Sequence, residues 1–267
     1  MPDVVVAGAA GRMGSRVVAC LYDDKELRLA GALEAPRHPA LGRDAGEVAG
    51  IGRLGVVLTA DPEAVLSQDR ILVEFSVPEA TLEHVRLAAA RGARAVIGTT
   101  GLTEPQREEI ARLAQRAPVL LSPNMSVGVT LALKLLAEMA AVLGEEYDVE
   151  IAEIHHRFKK DAPSGTALRM AEVIAQALGR NLSQVAVYGR QGLTGERSRG
   201  EIGILSLRSG DVVGEHTVSF GTLGERLELT HRAHSRDTFA RGALRAVKFI
   251  AKASPGLYSM QDVLGLK

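Results

Sequence analysis

The sequence predicts an α/β protein in two parts. The first is a parallel sheet covered by helices on both faces, and the second is a smaller α+β part with an open mixed sheet. Three observations carry this expectation. Short apolar runs alternate with helical patterns from the N-terminus to about residue 122, as expected of strands buried on both faces. A glycine-rich turn joins the first of these strands to the first helix. After Asn124 the rhythm changes to one long apolar helix and then longer strands.

The elements follow in order. Residues 4–7 form a short apolar strand that runs into glycines, and a helical pattern extends from residue 13 to about 21. Arg28–Leu33 is a second strand, and another is expected near residues 56–59. Asp61-Pro62-Glu63 opens a helix, because Asp accepts from orphan N–H groups and Pro suits the first helical position. A strand at 71–76, a helix at 78–91 and a strand at 95–98 come next. Thr103 and Gln106 have the capping-box spacing and start a helix that runs to about residue 116, followed by a strand at 119–122.

In the second part a helix covers about 126–143 and a long strand covers 148–156. Lys134 and Glu138 interrupt the apolar helix, so a buried helix is expected and not a membrane span. A loop with Lys159, Lys160, Asp161 and Pro163 precedes a helix over about 165–178. Three strands follow at Ile202–Arg208, 212–220 and 226–231, and Ser209-Gly210-Asp211 predicts a hairpin between the first two. The last helix, about 236–253, is expected to return to the first part. The expected domains are therefore 1–125 with 236–267, and 126–235.

Composition narrows the function. Lys plus Arg and Asp plus Glu both number 32, so the chain has no surplus of cations to displace counterions from a nucleic acid. With no Trp and only five Phe and four Tyr, stacking platforms for bases are not expected either. Cys20 is the only cysteine, which points to a reducing compartment, the cytoplasm, and excludes a thiolate metal cluster. Residues 1–6 carry no basic region of the kind that begins a signal peptide.

The turn Gly8-Ala9-Ala10-Gly11-Arg12-Met13-Gly14 follows a strand and opens a helix. Glycines there permit a tight turn and a close backbone approach to a pyrophosphate at the positive helix N-terminus. Ala10 stands where the usual dinucleotide pattern has a second glycine. Glu34 ends the second strand, 20 residues beyond Gly14, where a carboxylate accepts hydrogen bonds from adenosine ribose hydroxyls. These features predict a Rossmann-type dinucleotide-binding domain. A carboxylate beside the ribose also repels a 2′-phosphate and favours NADH, unless Arg12, Arg37 or Arg43 compensates.

The second chemistry-bearing segment runs from Glu153 to Ala167 and includes His155, His156, Lys159, Lys160, Asp161 and Pro163-Ser164-Gly165-Thr166. It puts two imidazoles and two ammonium groups at a strand end, directly before a helix that Ser164 can cap. Backbone N–H groups of Gly165 and Thr166, the helix dipole and a lysine together suit an anion, and a dicarboxylate fits between them. Adjacent strand residues face opposite ways, so His155 and His156 do not serve one metal unless the strand has ended. The other histidines lack zinc-like spacing, and no metal site is expected. Asp161 is expected to pair locally with a cation or to cap the loop, and not to act as a base.

The segment HHRFKKDAPSGTA resembles the signature H-H-x-x-K-x-D-A-P-S-G-T-A of the 4-hydroxy-tetrahydrodipicolinate reductase (dihydrodipicolinate reductase) family. The likeness extends to Gly8–Gly14, Glu74–Pro78, Gly98–Gly101, Ser122–Gly128, Gly192–Arg197, Gly214-Glu215-His216 and the tail around Ser235-Arg236 and Phe239. The resemblance implies an NAD(P)H-dependent oxidoreductase of the diaminopimelate route to lysine, assembled as a homotetramer. Its first domain and C-terminal helix would bind NADH or NADPH, and its middle block would bind a small cyclic dicarboxylate and form the tetramer interface. By position, Gly8, Ala9, Ala10, Gly11, Arg12 and Met13 would hold the pyrophosphate and Glu34 the ribose. Gly98, Thr99 and Thr100, with Ser122, Pro123, Asn124 and Met125, would line the nicotinamide side. His155 matches the proposed general acid and Lys159 the second catalytic residue. His156, Ser164, Gly165 and Thr166 match substrate contacts. The family often carries Arg just after the ribose acid; Ala35 here favours NADH. Two rival readings are another imine or amino-acid dehydrogenase on a related scaffold, which does not need the DAPSGT cradle, and a noncatalytic nucleotide sensor, for which His155 and Lys159 are dispensable.

Overall fold

Val4, Val5 and Val6 are all fully buried because strand β1 (Asp3–Ala7) lies inside a sheet covered on both faces. Val4 and Val6 pack on one side of it, and Val5 and Ala7 on the other. Burying one such valine contributes about 1.5–3 kcal/mol, so a charge in this strand would cost a large part of a domain's net stability. The computed structural model describes residues 1–266 and divides into two units, Met1–Val127 with the chain from Arg236 onward, and Gly128–Ser235.

In the first unit β1 is followed by α1 (Gly14–Asp23), β2 (Arg28–Leu33), α2 (Ala45–Ala49), β3 (Leu58–Thr59), α3 (Pro62–Val65) and β4 (Arg70–Glu74). Next come α4 (Pro78–Ala90), β5 (Arg94–Ile97), α5 (Glu104–Leu113) and β6 (Pro118–Leu121). After the second unit the chain returns with α9 (Asp237–Ile250), β12 (Gly256–Tyr258) and α10 (Met260–Leu264). The sheet is wholly parallel, in the order β12-β6-β5-β4-β1-β2-β3. Without its added edge strand this is the doubly wound 3-2-1-4-5-6 order, whose crevice opens beyond the carboxyl ends of β1 and β4.

Helices α1 and α9 bury Val17, Val18, Leu21, Ala243, Val247 and Ile250 on one face, and α4 and α5 bury Val85, Ala88 and Ile110 on the other. Arg16 on α1 donates twice to the Asp237 carboxylate at the start of α9, at 2.5 and 2.8 Å. Asp61 caps α3 as expected, and Thr103 with Gln106 forms the capping box of α5. Short elements that no sequence pattern announced also appear. One is α2, capped by Asp44, whose carboxylate accepts from the N–H groups of Gly46, Glu47, Leu54 and Gly55.

The second unit contains α6 (Val127–Leu143), a 3₁₀ turn (Gly144–Glu146), β7 (Asp148–His155), α7 (Gly165–Ala177), α8 (Leu182–Val185) and β8 (Ala186–Tyr188). Strands β9 (Ile202–Arg208), β10 (Gly214–Thr222) and β11 (Glu225–Ala233) complete a mixed sheet in the order β11-β10-β7-β9-β8. The expected hairpin between β9 and β10 does not form. Both strands pair with β7, β9 parallel and β10 antiparallel, and β7 lies between them. The turn at Ser209–Asp211 instead crosses over the end of β7. There Ser209 N donates to His155 O at 2.9 Å and Arg157 N donates to Gly210 O at 3.0 Å. The tight hairpin is β10–β11, closed by Leu223-Gly224 between Thr222 and Glu225.

Helix α6 is buried on one face only. Ala132, Leu136 and Ala140 enter the core beside Ile151, Ile174 and Phe220, while Leu131 and Val142 are exposed near the Lys134–Glu138 ion pair. By length and composition it is apolar enough to cross a membrane, but that apolar character is partly spent on the core of this unit.

Candidate active site

In the first unit, β1 is followed directly by Gly8, whose φ of +69° an L side chain rarely adopts. A Cβ there would also lie 2.7 Å from Phe75 O, because β1 and β4 are paired neighbours up to this point. Gly11 N donates back to Gly8 O at 2.9 Å, and Ala9 N to Leu33 O at 3.0 Å. A Cβ on Gly14 would stand 2.0 Å from Gly8 O, so the first turn of α1 is pressed against the loop it follows. Glu34 is drawn to the same loop: its carboxylate accepts from Ala10 N and Ala35 N, both at 2.9 Å. The exposed Gly11 and Arg12 lie at the helix N-terminus, and Met13 is its N-cap. The compact turn, the helix N-terminus and the acid fixed at the end of β2 all fit a dinucleotide.

The other expected cofactor residues also gather beyond the strand ends. Gly98 N donates to Glu74 O at 2.9 Å, and the Phe75 ring lies so close that a Cβ on Gly98 would meet it at 2.2 Å. Thr99 is buried and its hydroxyl shares a 2.8 Å bond with that of Thr81, whereas Thr100 is exposed. Ser122 Oγ donates to Asn124 O at 2.8 Å, and Asn124 Oδ1 accepts from Ser126 N at 2.9 Å. Pro123 is exposed, while Met125 is a core residue against which α9 packs through Gly242. Ala9, Thr99 and Met125 are thus placed to act through backbone and packing. The sequence did not single out the Glu74–His84 pair for a role. Glu74 is fully buried at the end of β4 and meets His84 Nδ1 at 2.8 Å and Ser76 N at 2.9 Å.

In the second unit, strand alternation builds the candidate site. Val149, Ile151, Glu153 and His155 take the inner face of β7, and His216, Val218 and Phe220 that of β10. The lower part of this face is the apolar core and its upper end is polar. His216 pairs with Glu153 in register, and Arg208 with His155. Glu153 is completely buried, yet its carboxylate is fully occupied. It meets His155 Nδ1 at 2.5 Å and accepts from Arg208 at 3.0 Å and from Ser164 N at 3.2 Å. Burial works to raise this carboxyl, but hydrogen bonds from His155, Ser206 and Arg208 outweigh it and hold it below its ordinary value.

His155 is held below its ordinary value, first by burial and further by the charges of Lys159 and Arg208, with Glu153 acting in the opposite direction. His216 meets His155 edge-on at 5.2 Å, and burial depresses it to about 3. Its Nε2 shares a 2.9 Å bond with Ser164 Oγ, which also accepts from Ala167 N and so caps α7 as expected. Gly165 and Thr166 form the first turn of that helix. His156 stands beyond the strand end, tilted against Phe158, with its buried Nδ1 unpartnered. Lys159 is paired with Asp161 at 2.8 Å.

His155, Ser164 and the Lys159 loop are therefore brought together. Glu153, Arg208 and His216 join them without having been assigned a part. The spacing of Glu153 and His155, two residues apart in a strand, was the available signal. Among the described residues no group of His, Cys, Asp and Glu is arranged to hold a metal ion.

The comparisons with known proteins agree along the whole chain. Residues 2–125 match the family described as dihydrodipicolinate reductase, N-terminus, and residues 128–264 match its C-terminus. The chain is 51% identical over its full length to a 4-hydroxy-tetrahydrodipicolinate reductase of Citrifermentans bemidjiense, all of which is covered. It is 53% identical to that of Magnetococcus marinus, over 99% of this chain and 98% of the other. The dipicolinate-bound dihydrodipicolinate reductase of Paenisporosarcina sp. TG-14 superposes with a TM-score of 0.77, at 25% identity and 98% coverage of both chains. With the dinucleotide-type turn, these matches support a nicotinamide cofactor and an oxidoreductase. The chain belongs to the dihydrodipicolinate reductase family.

Proposed function

We propose that this protein reduces 4-hydroxy-tetrahydrodipicolinate, through its dehydrated form, to tetrahydrodipicolinate, with His155 as proton donor. The observation that carries the reading is the end of β7. There an imidazole backed by a buried carboxylate stands in the same unit as a lysine and the Ser164-capped N-terminus of α7. The nicotinamide cofactor supplies the hydride when bound. Lys159, released from Asp161, and the N-terminal turn at Gly165 and Thr166 hold a substrate carboxylate. They also stabilise the negative charge that develops on reduction. His156 adds a further polar contact. His155 then delivers the proton that completes the reduction, and water re-protonates it.

In the first unit Gly8 to Met13 cradle the pyrophosphate and Glu34 takes the ribose. Gly98, Thr99, Thr100 and Ser122 to Met125 flank the nicotinamide. Glu34, already bonded to Ala10 and Ala35 N–H, repels a 2′-phosphate, and Ala35 offers no cation in return, so NADH is preferred over NADPH. The outward face of the five-stranded sheet presents exposed Leu205 and Leu207 on β9, with Ile154 on β7 beside them, which suits sheet-to-sheet assembly into a homotetramer. The lone buried Cys20 fits a cytoplasmic enzyme.

The test is steady-state oxidation of NADH and, separately, NADPH, with substrate generated by the preceding synthase from pyruvate and aspartate semialdehyde. Substrate-dependent oxidation with a higher kcat/KM for NADH is expected. Binding of NADH without turnover would overturn the reductase reading, and a higher kcat/KM for NADPH would overturn the role given to Glu34 and Ala35.

A further inference from the structure

Glu153 is a fully buried carboxylate in the polar end of an otherwise apolar sheet face, a position that needs a reason because an unpaired charge there would be costly. Its hydrogen bonds supply one. One oxygen meets His155 Nδ1 at 2.5 Å, the other accepts from the Ser164 N–H at 3.2 Å, and both accept from Arg208 at 3.0 Å. Arg208 continues the chain of contacts by donating to Asp161 O at 2.6 Å, in the loop that carries Lys159. One carboxylate thus touches the proposed proton donor, the first residue of the anion cradle and, through Arg208, the loop between them.

A carboxylate only accepts hydrogen bonds, so its partner on the imidazole is Nδ1–H. That fixes the neutral tautomer and directs the exchangeable proton to the other nitrogen. Nε2 lies beside Gly214, where an added Cβ would approach it to 3.0 Å, so the neighbouring strand keeps that nitrogen clear of side chain. The remaining groups around the ring are His216 on β10, His231 behind it on β11, Arg208 on β9, and Lys159 with Asp161 on the loop. Glu153 provides the anion bonded directly to the imidazole, since Asp161 is engaged by Lys159.

We propose that Glu153 is the positioning residue for His155, holding its imidazole with Nδ1 protonated so that Nε2 carries the proton donated to substrate. The inference rests on the reading of His155 as proton donor, and its test separates the two. In the intact enzyme Glu153→Gln keeps the volume and an acceptor for Ser164 N–H, but loses the charge and offers an NH₂ group that favours the opposite tautomer. Its kcat is expected to fall about tenfold or more, within the ~10²–10⁴-fold that a general acid supplies. The basic limb of its pH–rate profile is expected to move to lower pH, because the imidazolium has lost its counter-charge. NADH affinity is expected to stay within about twofold of wild type. In a His155→Ala background the same change is expected to cost about twofold at most, since Glu153 acts through the ring.

Imidazole ¹⁵N shifts provide the second readout: Nδ1–H for His155 in the wild type, and loss of that preference in Glu153→Gln. A full multiplicative loss in the double variant, an unmoved basic limb, or a wild-type His155 protonated at Nε2 would each overturn the proposal. Wild-type turnover by His155→Ala would instead remove the proton-donor reading, and the ¹⁵N shifts would still decide whether Glu153 sets the tautomer.

Discussion

Replacing Gly14 by alanine tests whether the first turn of α1 and the glycine loop are packed as one unit. Two effects oppose each other. Alanine is better than glycine in a helix by about 1 kcal/mol, which alone would stabilise the protein. The new Cβ, however, would lie 2.0 Å from Gly8 O and 2.7 Å from Ala9 Cα, both backbone atoms that cannot rotate away. Reaching even 3.0 Å from that oxygen requires a 1.0 Å separation of helix and loop. Overpacking of this kind costs about 1–3 kcal/mol and more where backbone must move, so sterics outweigh propensity and a net loss of ~1–2 kcal/mol is expected. Cofactor affinity is expected to fall as well, because the loop and helix N-terminus that face the pyrophosphate would be displaced relative to one another. Urea unfolding would read the first effect and fluorescence titration with NADH the second. A variant that is more stable than wild type and binds NADH equally well would refute the reasoning.

Other outcomes follow from the same geometry. His155→Ala is expected to lower kcat by about 10²–10⁴-fold in the coupled reductase assay, with NADH binding retained; wild-type kcat would remove His155 from the chemistry. His216 is held neutral when folded, at about 3 against an ordinary 6.5, so the unfolded chain binds the extra proton between those values. Its contribution to stability is therefore complete above about pH 6.5 and is lost as pH falls toward 3, at no more than ~1.4 kcal/mol per pH unit. Denaturant melts at several pH values should show a shallower acid slope in His216→Gln, although His155 and His231 act in the same direction. Asp44→Ala strands the four N–H groups that its carboxylate satisfies and should cost about 1–3 kcal/mol in urea unfolding, with little effect on kcat.

Much of the fold was legible because parallel strands buried on both faces read as uninterrupted apolar runs. Arg28–Leu33 coincides with an observed strand of the parallel sheet, and Ile202–Arg208 coincides with β9 of the mixed sheet, whose outward face is exposed. What was missed depends on partners distant in sequence. The edge strands β8 and β12 exist through pairing with a neighbour, and α2 through the four donors that Asp44 collects, whereas the two-residue β3 falls where a strand near 56–59 was expected. Ser209–Asp211 was correctly read as a turn but assigned to the wrong partner, since nothing local reveals that β7 lies between its flanking strands. The same holds for the site. The segment from His155 to Thr166 announces itself by composition and spacing. Glu153, however, resembles an ordinary strand carboxylate until register places Arg208 and His216 against it.

The second unit is one continuous stretch of chain, whereas the first is completed only by α9, whose Gly242 lies so close to Met125 O that a Cβ would approach it to 1.8 Å. Synthesis from the N-terminus therefore delivers everything the second unit needs before it delivers the helix that covers Val17, Val18 and Leu21. On the ribosome the later-encoded unit can mature first, while one face of the earlier-encoded sheet waits with α1 on it but the place of α9 uncovered. A chain stopped at Ser235 would lack α9 and leave the apolar residues it packs against uncovered.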